Sequence, residues 1–460
     1  MRGDLEKKSL KLPLEETFST VVRTENLKLF LCLILTLKWE YATLDVSTAF
    51  LYATLNRDLY IEIPEGHKYY DQRHATCFKV IRALYGTIDA PRLWNDELAS
   101  TLKSLGYKKA ETDWNIFYKK DDTGTVSIIA FHVDDGIIAA SSKSLLNEII
   151  QKLKNKYKIK VKDGITEYLK LKFQRVHNYI YMHQADYIEE AAESFSVKDA
   201  KPISVPMDPG FVTRAETTDE PFTNNTAYRS IIGVLSHISR QTRPDILLAV
   251  NILSSHLTNP MKRHWNAAKR ILIYLYHTRH EALRIGPVSL DGLKAYSDAT
   301  WADDPNTRLS RTGGVIFYNG SFISAHSHQQ KSIALSATQA EYQALSSAVQ
   351  QILYFRSLLT ELNYPETIPT PLLCDNQGAL FIAVSTKNHP KIKHIAIRFH
   401  FIRDAIHTEQ AQLIYVPTQN QIADIFTKPL PPKLFNKFKH ELGVQSWNSN
   451  DSSRHVTFNI

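Results

Sequence analysis

Apolar residues change their spacing repeatedly along this 460-residue chain, and the changes mark out its elements. Leu29 to Leu37 (LFLCLILTL) is a continuous apolar run, about half the roughly 20 residues a membrane-spanning helix needs, and it predicts a buried helix. Up to about residue 195, helical stretches alternate with short apolar strands. Within this part, Val126 to Ala140 (VSIIAFHVDDGIIAA) sets two β-rich runs either side of Asp134-Asp135-Gly136, which predicts a hairpin with two carboxylates at its tip. From Lys201 to Thr226 the periodicity fades into Pro, Asp, Thr and Asn, predicting an extended linker. Tyr228 to Arg284 is apolar and basic, and IIGVLSHISR and ILLAVNILSSHL have the pattern of packed helices. Beyond Gly292, strands at KAYSDATWA, GGVIFYNG and SFISAH precede a long helix from about Ser336 to Leu362. Then follow a strand at PLLCDN, helices near NQGALFIAVS and IKHIAIRFHFIRDAI, a strand at AQLIYVP, and a last helix from about Gln421. Three strands followed by alternating helices and strands predict a mixed sheet with helical layers.

Composition narrows the class. The chain is long enough for two or three domains, and 43% hydrophobic with 22% charged residues predicts folded structure nearly throughout. Lys and Arg outnumber Asp and Glu by 55 to 47, a net +8 that favours a polyanionic partner. The N-terminus MRGDLEKKSLKLPLEETF has basic charge without an adjoining apolar stretch and cleavage site, so no secretory signal is expected, and the shortness of the Leu29–Leu37 run argues against a membrane partner. Cys32, Cys77 and Cys374 are widely separated and odd in number, a pattern of free thiols rather than a disulfide framework or zinc site.

Two carboxylate sets carry candidate chemistry. Asp45 in YATLDVSTAF and Asp134 with Asp135 in FHVDDGII are bordered by apolar residues, with no nearby Lys or Arg to neutralise them. Clustered carboxylates in apolar surroundings need a cation or a proton, and oxygen-only ligands favour a hard ion such as Mg²⁺, which suits phosphoryl transfer. Two such ions about 4 Å apart activate an attacking hydroxyl and stabilise the leaving group. A hairpin tip and a helix cap ahead of Ser47 explain the same three acids structurally. The second set is Asp298, Glu341, Asp375 and Asp424, one from each of four predicted elements. Convergence on two ions would activate water against a phosphodiester; read singly, each is a capping Asp or a solvated helix-face Glu. The basic stretch Lys428 to Lys439 suits either a nucleic-acid backbone or a solvated helix end.

The blocks LDVSTAFLYATLNRDLYIEIPEG, ALYGTIDAPRLWNDEL, FHVDDGIIAA and YRSIIGVLSHISRQTRPDI resemble, in order, the reverse transcriptase segments and connector of copia-type LTR retrotransposon Pol polyproteins, over most of residues 15–285. SDATWAD, LSATQAEYQAL, LLCDNQGAL, KHIAIRFHFIRD and IADIFTKPL resemble the ribonuclease H of the same family, over about 292–442. The resemblance implies a multidomain α+β and α/β chain: a right-hand polymerase palm with a helical connector, followed by a ribonuclease H-like mixed-sheet domain. It divides the chain into an N-terminal tail (1–17), a palm with incomplete fingers (18–195), a linker (196–227), a helical thumb or connector (228–291), the ribonuclease H-like domain (292–442) and a C-terminal tail (443–460).

By the same resemblance, Asp45, Asp134 and Asp135 bind metal and catalyse RNA-directed DNA synthesis, GTIDAPR lies near nucleotide and template, and Asp298, Glu341, Asp375 and Asp424 hold the ions that cut RNA in an RNA·DNA hybrid. The implied cofactor is Mg²⁺, two per site, with Mn²⁺ as a substitute. Implied partners are RNA template, DNA primer, RNA·DNA hybrid and deoxynucleoside triphosphates, in the cytoplasm, a particle or the nucleus. The chain departs from the family at His132 (commonly Tyr or Phe), Ile88-Asp89 (Lys-Gln in many members), Leu169-Lys170 (commonly Leu-Gly) and Ala396 (generally Asp). By the same resemblance, the basic fingers segment that precedes the TFSTVV-like stretch is expected to be missing, and no segment here resembles capsid, protease or integrase. The expectations are therefore a two-activity enzyme, a ribonuclease H with an inactive polymerase, or a non-catalytic remnant that binds nucleic acid. His394 and His400 are left outside the catalytic set.

Overall fold

The computed structural model describes residues 21–70, 77–121, 124–211, 219–385 and 396–447. These pack as two units, one built from 37–165 with the short lead-in before residue 24, the other from 24–36 and residues from 166 onward.

The first unit is a six-stranded antiparallel sheet. Its strands are β1 (Glu40–Val46), β4 (Lys108–Lys109), β5 (Ile116–Lys120), β6 (Val126–His132), β7 (Asp135–Ala140) and β8 (Ile159–Asp163), in the order β4-β5-β6-β7-β1-β8, with a separate pair of β2 (Tyr60–Glu62) and β3 (Cys77–Lys79). Leu44, Val46, Ile129, Phe131, Ile138 and Ala140 supply the sheet side of one core, closed by helices Ala90–Ser104 and Lys143–Lys154 through Leu93, Trp94, Leu98, Leu146 and Leu153. The predicted hairpin forms as β6 and β7, but its turn is Val133-Asp134, since His132 pairs with Asp135. Gly136 thus lies within the strand. Its missing side chain answers a close approach, because a Cβ there would stand 2.7 Å from Phe131 Cε1.

The second unit carries two sheets. One is antiparallel, in the order β18-β12-β11-β10-β9, from β9 (Glu167–Tyr168), β10 (Leu171–Val176), β11 (Tyr179–His183), β12 (Glu281–Ile285) and β18 (Val444–Ser446). It groups residues that the sequence distributes among palm, connector and tail, and Val444–Ser446 is an edge strand rather than tail. Leu169 and Lys170 form the two-residue turn between β9 and β10, both with positive φ (53° and 61°), so the position expected to favour glycine is left-handed in fact.

The other sheet is mixed, as its element order predicts. It contains β13 (Leu293–Thr300), β14 (Arg311–Tyr318), β15 (Ser321–Gln329), β16 (Thr370–Cys374) and β17 (Ala411–Tyr415), in the order β15-β14-β13-β16-β17, with β13, β16 and β17 parallel to one another. The helix Ala337–Glu361 covers it through Ala340, Ala344, Leu345, Ala348 and Ile352. In place of the predicted helix from Gln421, short 3₁₀ turns at Thr418–Asn420 and Ile422–Phe426 lead to a helix at Pro432–Glu441. Pro429, Pro431 and Pro432 explain the delay, because proline lacks the donor an interior helical turn requires.

The apolar run is a buried helix, Thr24–Leu37, and its residues 24–36 belong to the second unit. It carries a fully buried Lys28, whose ammonium donates to the Arg240 carbonyl (3.0 Å) and lies 5.0 Å from the centre of the Phe322 ring; burial lowers its pKa to about 8. Between the helical segments, Arg243 and Asp245 form a buried pair at 2.8 Å, supported by Tyr274 Oη on Asp245 and by Arg243 on the Thr278 carbonyl.

Candidate active sites

Cross-strand register assembles the first carboxylate set. Asp45 lies on β1 opposite Asp135 on β7, and antiparallel partners project to the same face. Asp134 occupies the hairpin turn, where its carbonyl accepts from Val46 N–H at 2.9 Å. The preceding Val133 has φ 61°, unusual for a β-branched residue, and the buried Trp94 indole donates to its carbonyl at 2.6 Å. Asp135 has its pKa raised to about 6, first by burial and then by Asp134 and Asp45. His132, half-buried beside it, is held below the ordinary imidazole range by burial.

The expectation that no basic residue neutralises this set is corrected. Lys160 on β8 pairs with Asp45 on the edge away from Asp135 and places its Nζ 3.3 Å from Asp45 Oδ2. The two residues are 115 positions apart in sequence (160 minus 45), so only strand pairing makes them neighbours. Nor does Asp45 cap a helix. It is a strand residue, and the following 3₁₀ turn at Ala49–Tyr52 starts from Thr48 without a side-chain cap. In the GTIDAPR segment, Asp89 is buried and bound by Arg57 (Nε to Oδ2, 2.8 Å).

The second set is drawn together more tightly. Asp298 lies on central strand β13, Glu341 on the covering helix, Asp375 just after β16, and Asp424 in the 3₁₀ turn at 422–426. A ligand oxygen from each of Asp298, Asp375 and Asp424 lies within 4.8 Å of the other two. Glu341, Cys374 and Asp375 form a second such group, and among the described residues these are the two sets of three that meet this condition. The Asp45, Asp134 and Asp135 set is not one of them.

Local packing explains the convergence. Gly313 pairs with Asp298, and a Cβ on it would stand 2.6 Å from Thr427 Cγ2 and 2.9 Å from Phe426 Cβ, so glycine lets the Asp424 segment lie on the sheet. Buried Gln421 fastens the segment through Nε2 to the Ser297 carbonyl (3.0 Å), and Thr300 Oγ1 donates to the Thr427 carbonyl (3.2 Å). Thr427 Oγ1 donates to Asp298, and Thr418 Oγ1 to Asp375 Oδ2 at 2.7 Å. Burial, then the charges of Asp298 and Asp375, hold the Glu341 carboxyl far above the usual range; burial and Asp298 raise Asp424. Asp424 Oδ2 takes Lys428 Nζ at 2.9 Å, while its Oδ1 is buried with no hydrogen-bond partner. Buried, mutually repelling oxygen donors with an orphaned lone pair fit a hard divalent cation.

Four neighbours of this centre are not assigned to it by the sequence. Cys374 adjoins Asp375 in sequence and directs its buried thiol 3.9 Å from Glu341 Oε2; that adjacency was the one available signal. Thr427 and Lys428 follow Asp424 closely, but their direction depends on the 3₁₀ turn, and nothing in the sequence marks Thr418. The basic stretch turns out to be largely occupied: Lys428 binds Asp424, Lys437 the Gln419 carbonyl (2.7 Å) and Lys439 Glu281 (2.7 Å). His400 is exposed on the helix Ala396–His407; His394 lies outside the described residues, as does the side chain of Ala396.

The reverse transcriptase (RNA-dependent DNA polymerase) family matches residues 9–209. The chain is 33% identical over 429 residues to the retrovirus-related Pol polyprotein from transposon RE1 of Arabidopsis thaliana, an alignment covering 93% of this chain and 29% of that protein. A similar match, 33% identical, covers 94% of this chain and 33% of the Pol polyprotein from transposon TNT 1-94 of Nicotiana tabacum. The transposon Ty5-1 protein YCL074W of Saccharomyces cerevisiae is 30% identical over 315 residues, 67% of this chain and 100% of the relative. The chain thus spans about a third or less of these two plant polyproteins. Among solved structures, LC11-RNase H1 in complex with RNA/DNA hybrid covers 29% of this chain at 16% identity (TM-score 0.23). The foamy viral protease-reverse transcriptase in complex with double-stranded DNA covers 88% at 12% identity (TM-score 0.19).

Proposed function

Because the chain belongs to the Pol polyprotein family of copia-type retrotransposons, in its reverse transcriptase region, we propose that it is an RNA-directed DNA polymerase joined to a ribonuclease H that cuts RNA in RNA·DNA hybrids. The antiparallel sheet of residues 37–165 serves as the palm, and the mixed sheet within 292–442 as the nuclease domain. The observation that carries the reading is the convergence of Asp298, Asp375 and Asp424 within 4.8 Å, with a buried, unpartnered oxygen on Asp424.

In the nuclease domain, Asp298, Glu341, Asp375 and Asp424 would hold Mg²⁺ or Mn²⁺; in the palm, Asp45, Asp134 and Asp135 would do so. When bound, such ions activate the attacking oxygen and stabilise the leaving one. The protein's own part is placement. Thr427 and Thr418 orient Asp298 and Asp375 by donating to one oxygen of each, and Gln421 fixes the Asp424 segment to the sheet. Trp94 and Val46 hold the Val133-Asp134 turn by donating to its two carbonyls, which helps fix where Asp134 stands relative to the Asp45–Asp135 pair. Substrates are an RNA template with a DNA primer and deoxynucleoside triphosphates at the first centre, and the hybrid at the second, read through backbone shape and 2′-hydroxyls rather than base sequence.

A second reading keeps the nuclease alone, and the contrast between the centres favours it: only the second set brings three ligand atoms within 4.8 Å among the described residues. The test is Mg²⁺-dependent cleavage of a labelled RNA·DNA hybrid alongside primer extension, with Asp298→Asn and Asp45→Asn. Cleavage lost only in Asp298→Asn and extension lost only in Asp45→Asn support both activities. Cleavage without extension selects the nuclease, and neither activity in folded protein overturns the proposal.

A further inference from the structure

Lys428 differs from the other lysines of its basic stretch because it is directed at the carboxylates. Its Nζ lies 2.9 Å from Asp424 Oδ2, and its charge also acts on Asp298 and Asp375. The placement is built into the backbone. Lys428 N–H and Thr427 N–H both donate to the Asp424 carbonyl (3.1 Å each), and Thr427 is tied to the Asp298 strand through its hydroxyl and its carbonyl. Pro429 follows directly and ends the turn there. The ammonium takes one oxygen of Asp424 and leaves the other, Oδ1, buried and unpartnered. A fixed monocation therefore shares this anionic centre with whatever divalent cation it holds.

We propose that Lys428 is a built-in counter-cation of the second carboxylate centre and sets the divalent-cation concentration at which that centre fills. The inference rests on reading the centre as a divalent-cation nuclease site and adds a residue that tunes it. Like charges a few ångströms apart in a partly buried site repel strongly, so a divalent ion enters against the ammonium. In return, the ammonium offsets part of the repulsion among Asp298, Asp375 and Asp424 when divalent cation is scarce. Cleavage would then follow cation supply rather than run at saturation.

The test measures Mn²⁺ binding to the full chain by electron paramagnetic resonance, in an Asp45→Asn, Asp135→Asn background that silences the first carboxylate set. Loss of the signal in added Asp298→Asn assigns it to the second centre. Lys428→Met should bind Mn²⁺ about tenfold more tightly or better, and its half-saturating Mg²⁺ for hybrid cleavage should fall in step. Lys428→Arg, which keeps the charge, should stay close to the parent. Unchanged or weaker Mn²⁺ binding in folded Lys428→Met overturns the inference, including the case in which only hybrid affinity falls, the mark of a lysine that contacts substrate phosphate. A parent that binds Mn²⁺ at this centre but cuts no hybrid removes the nuclease reading and leaves the Lys428 comparison standing; a parent that binds none there removes both.

Discussion

The two carboxylate centres solve the same electrostatic problem in different ways. The first lies across an antiparallel sheet, with partly exposed acids, an exposed Lys160 beside Asp45, and a hairpin turn held by Trp94. Partial exposure lets water screen part of the repulsion that adds to burial in raising the Asp135 pKa. The second draws acids from two parallel strand neighbours, a covering helix and a 3₁₀ turn into a site where Asp298, Glu341 and Asp424 are buried. There the repulsion is met by protons, by Lys428 and by donated hydroxyls from Thr427 and Thr418. The more deeply buried centre should depend more on cations than one that water partly screens.

The widest separation between the centres should come from removing one carboxylate in each. Asp298→Asn should lower hybrid cleavage by a factor on the order of 10³ while leaving any primer extension in place, and Asp135→Asn should do the reverse. Loss of both activities in either variant would show that the two centres act as one.

Next in size are the glycines on which each centre rests. Gly313→Ala would push its Cβ into Thr427 and Phe426, and Gly136→Ala into the Phe131 ring. Each should destabilise its own unit by about 1–3 kcal/mol, read by urea unfolding. Gly313→Ala should also reduce cleavage by lifting the Asp424 segment; parent-like cleavage would mean that the segment need not lie flat on the sheet.

The pH dependence sharpens the contrast further. Glu341 and Asp424 hold their protons above the ordinary carboxylate range, so the folded form binds more protons than the unfolded chain from that range upward. Their stabilising contribution is therefore complete below the unfolded carboxylate range and is lost as pH rises, through about 7 for Asp424 and about 10 for Glu341. In a chelator, the melting temperature of the second unit should fall from about pH 5 to about pH 10. Glu341→Gln should flatten that slope, and excess Mg²⁺ should cancel it by binding the folded form. The corresponding loss from Asp135 should be complete soon above its raised pKa of about 6. A flat profile in the parent would refute the buried-charge account.

The smallest effect is expected at Lys160→Ala. Both partners of this ion pair are substantially exposed, so stability should change by less than about 1 kcal/mol. A larger loss in urea unfolding would mean that Lys160, like Lys428, neutralises its centre in earnest.

Sequence alone went far where the signal is local. The run Leu29–Leu37 reads as a buried helix because its apolarity is continuous, and VSIIAFHVDDGIIAA as a hairpin because both flanks are β-rich. The mixed sheet follows from the order of its elements, whereas the seven candidate acids are named by resemblance to a family and not by periodicity. Pairing between distant strands left no such trace. Lys160 reaches Asp45 only through register, and the sheet that joins residues 167–183 to 281–285 and 444–446 crosses three segments that read as separate. Gly136 reads as turn chemistry but serves the approach of Phe131, a distinction that depends on which residues pair. Residue type and periodicity therefore decide which elements form and which groups can carry charge. How much of that charge is buried, and what neutralises it, depends on side chains brought together by packing, and Lys428 turned toward Asp424 is the clearest instance.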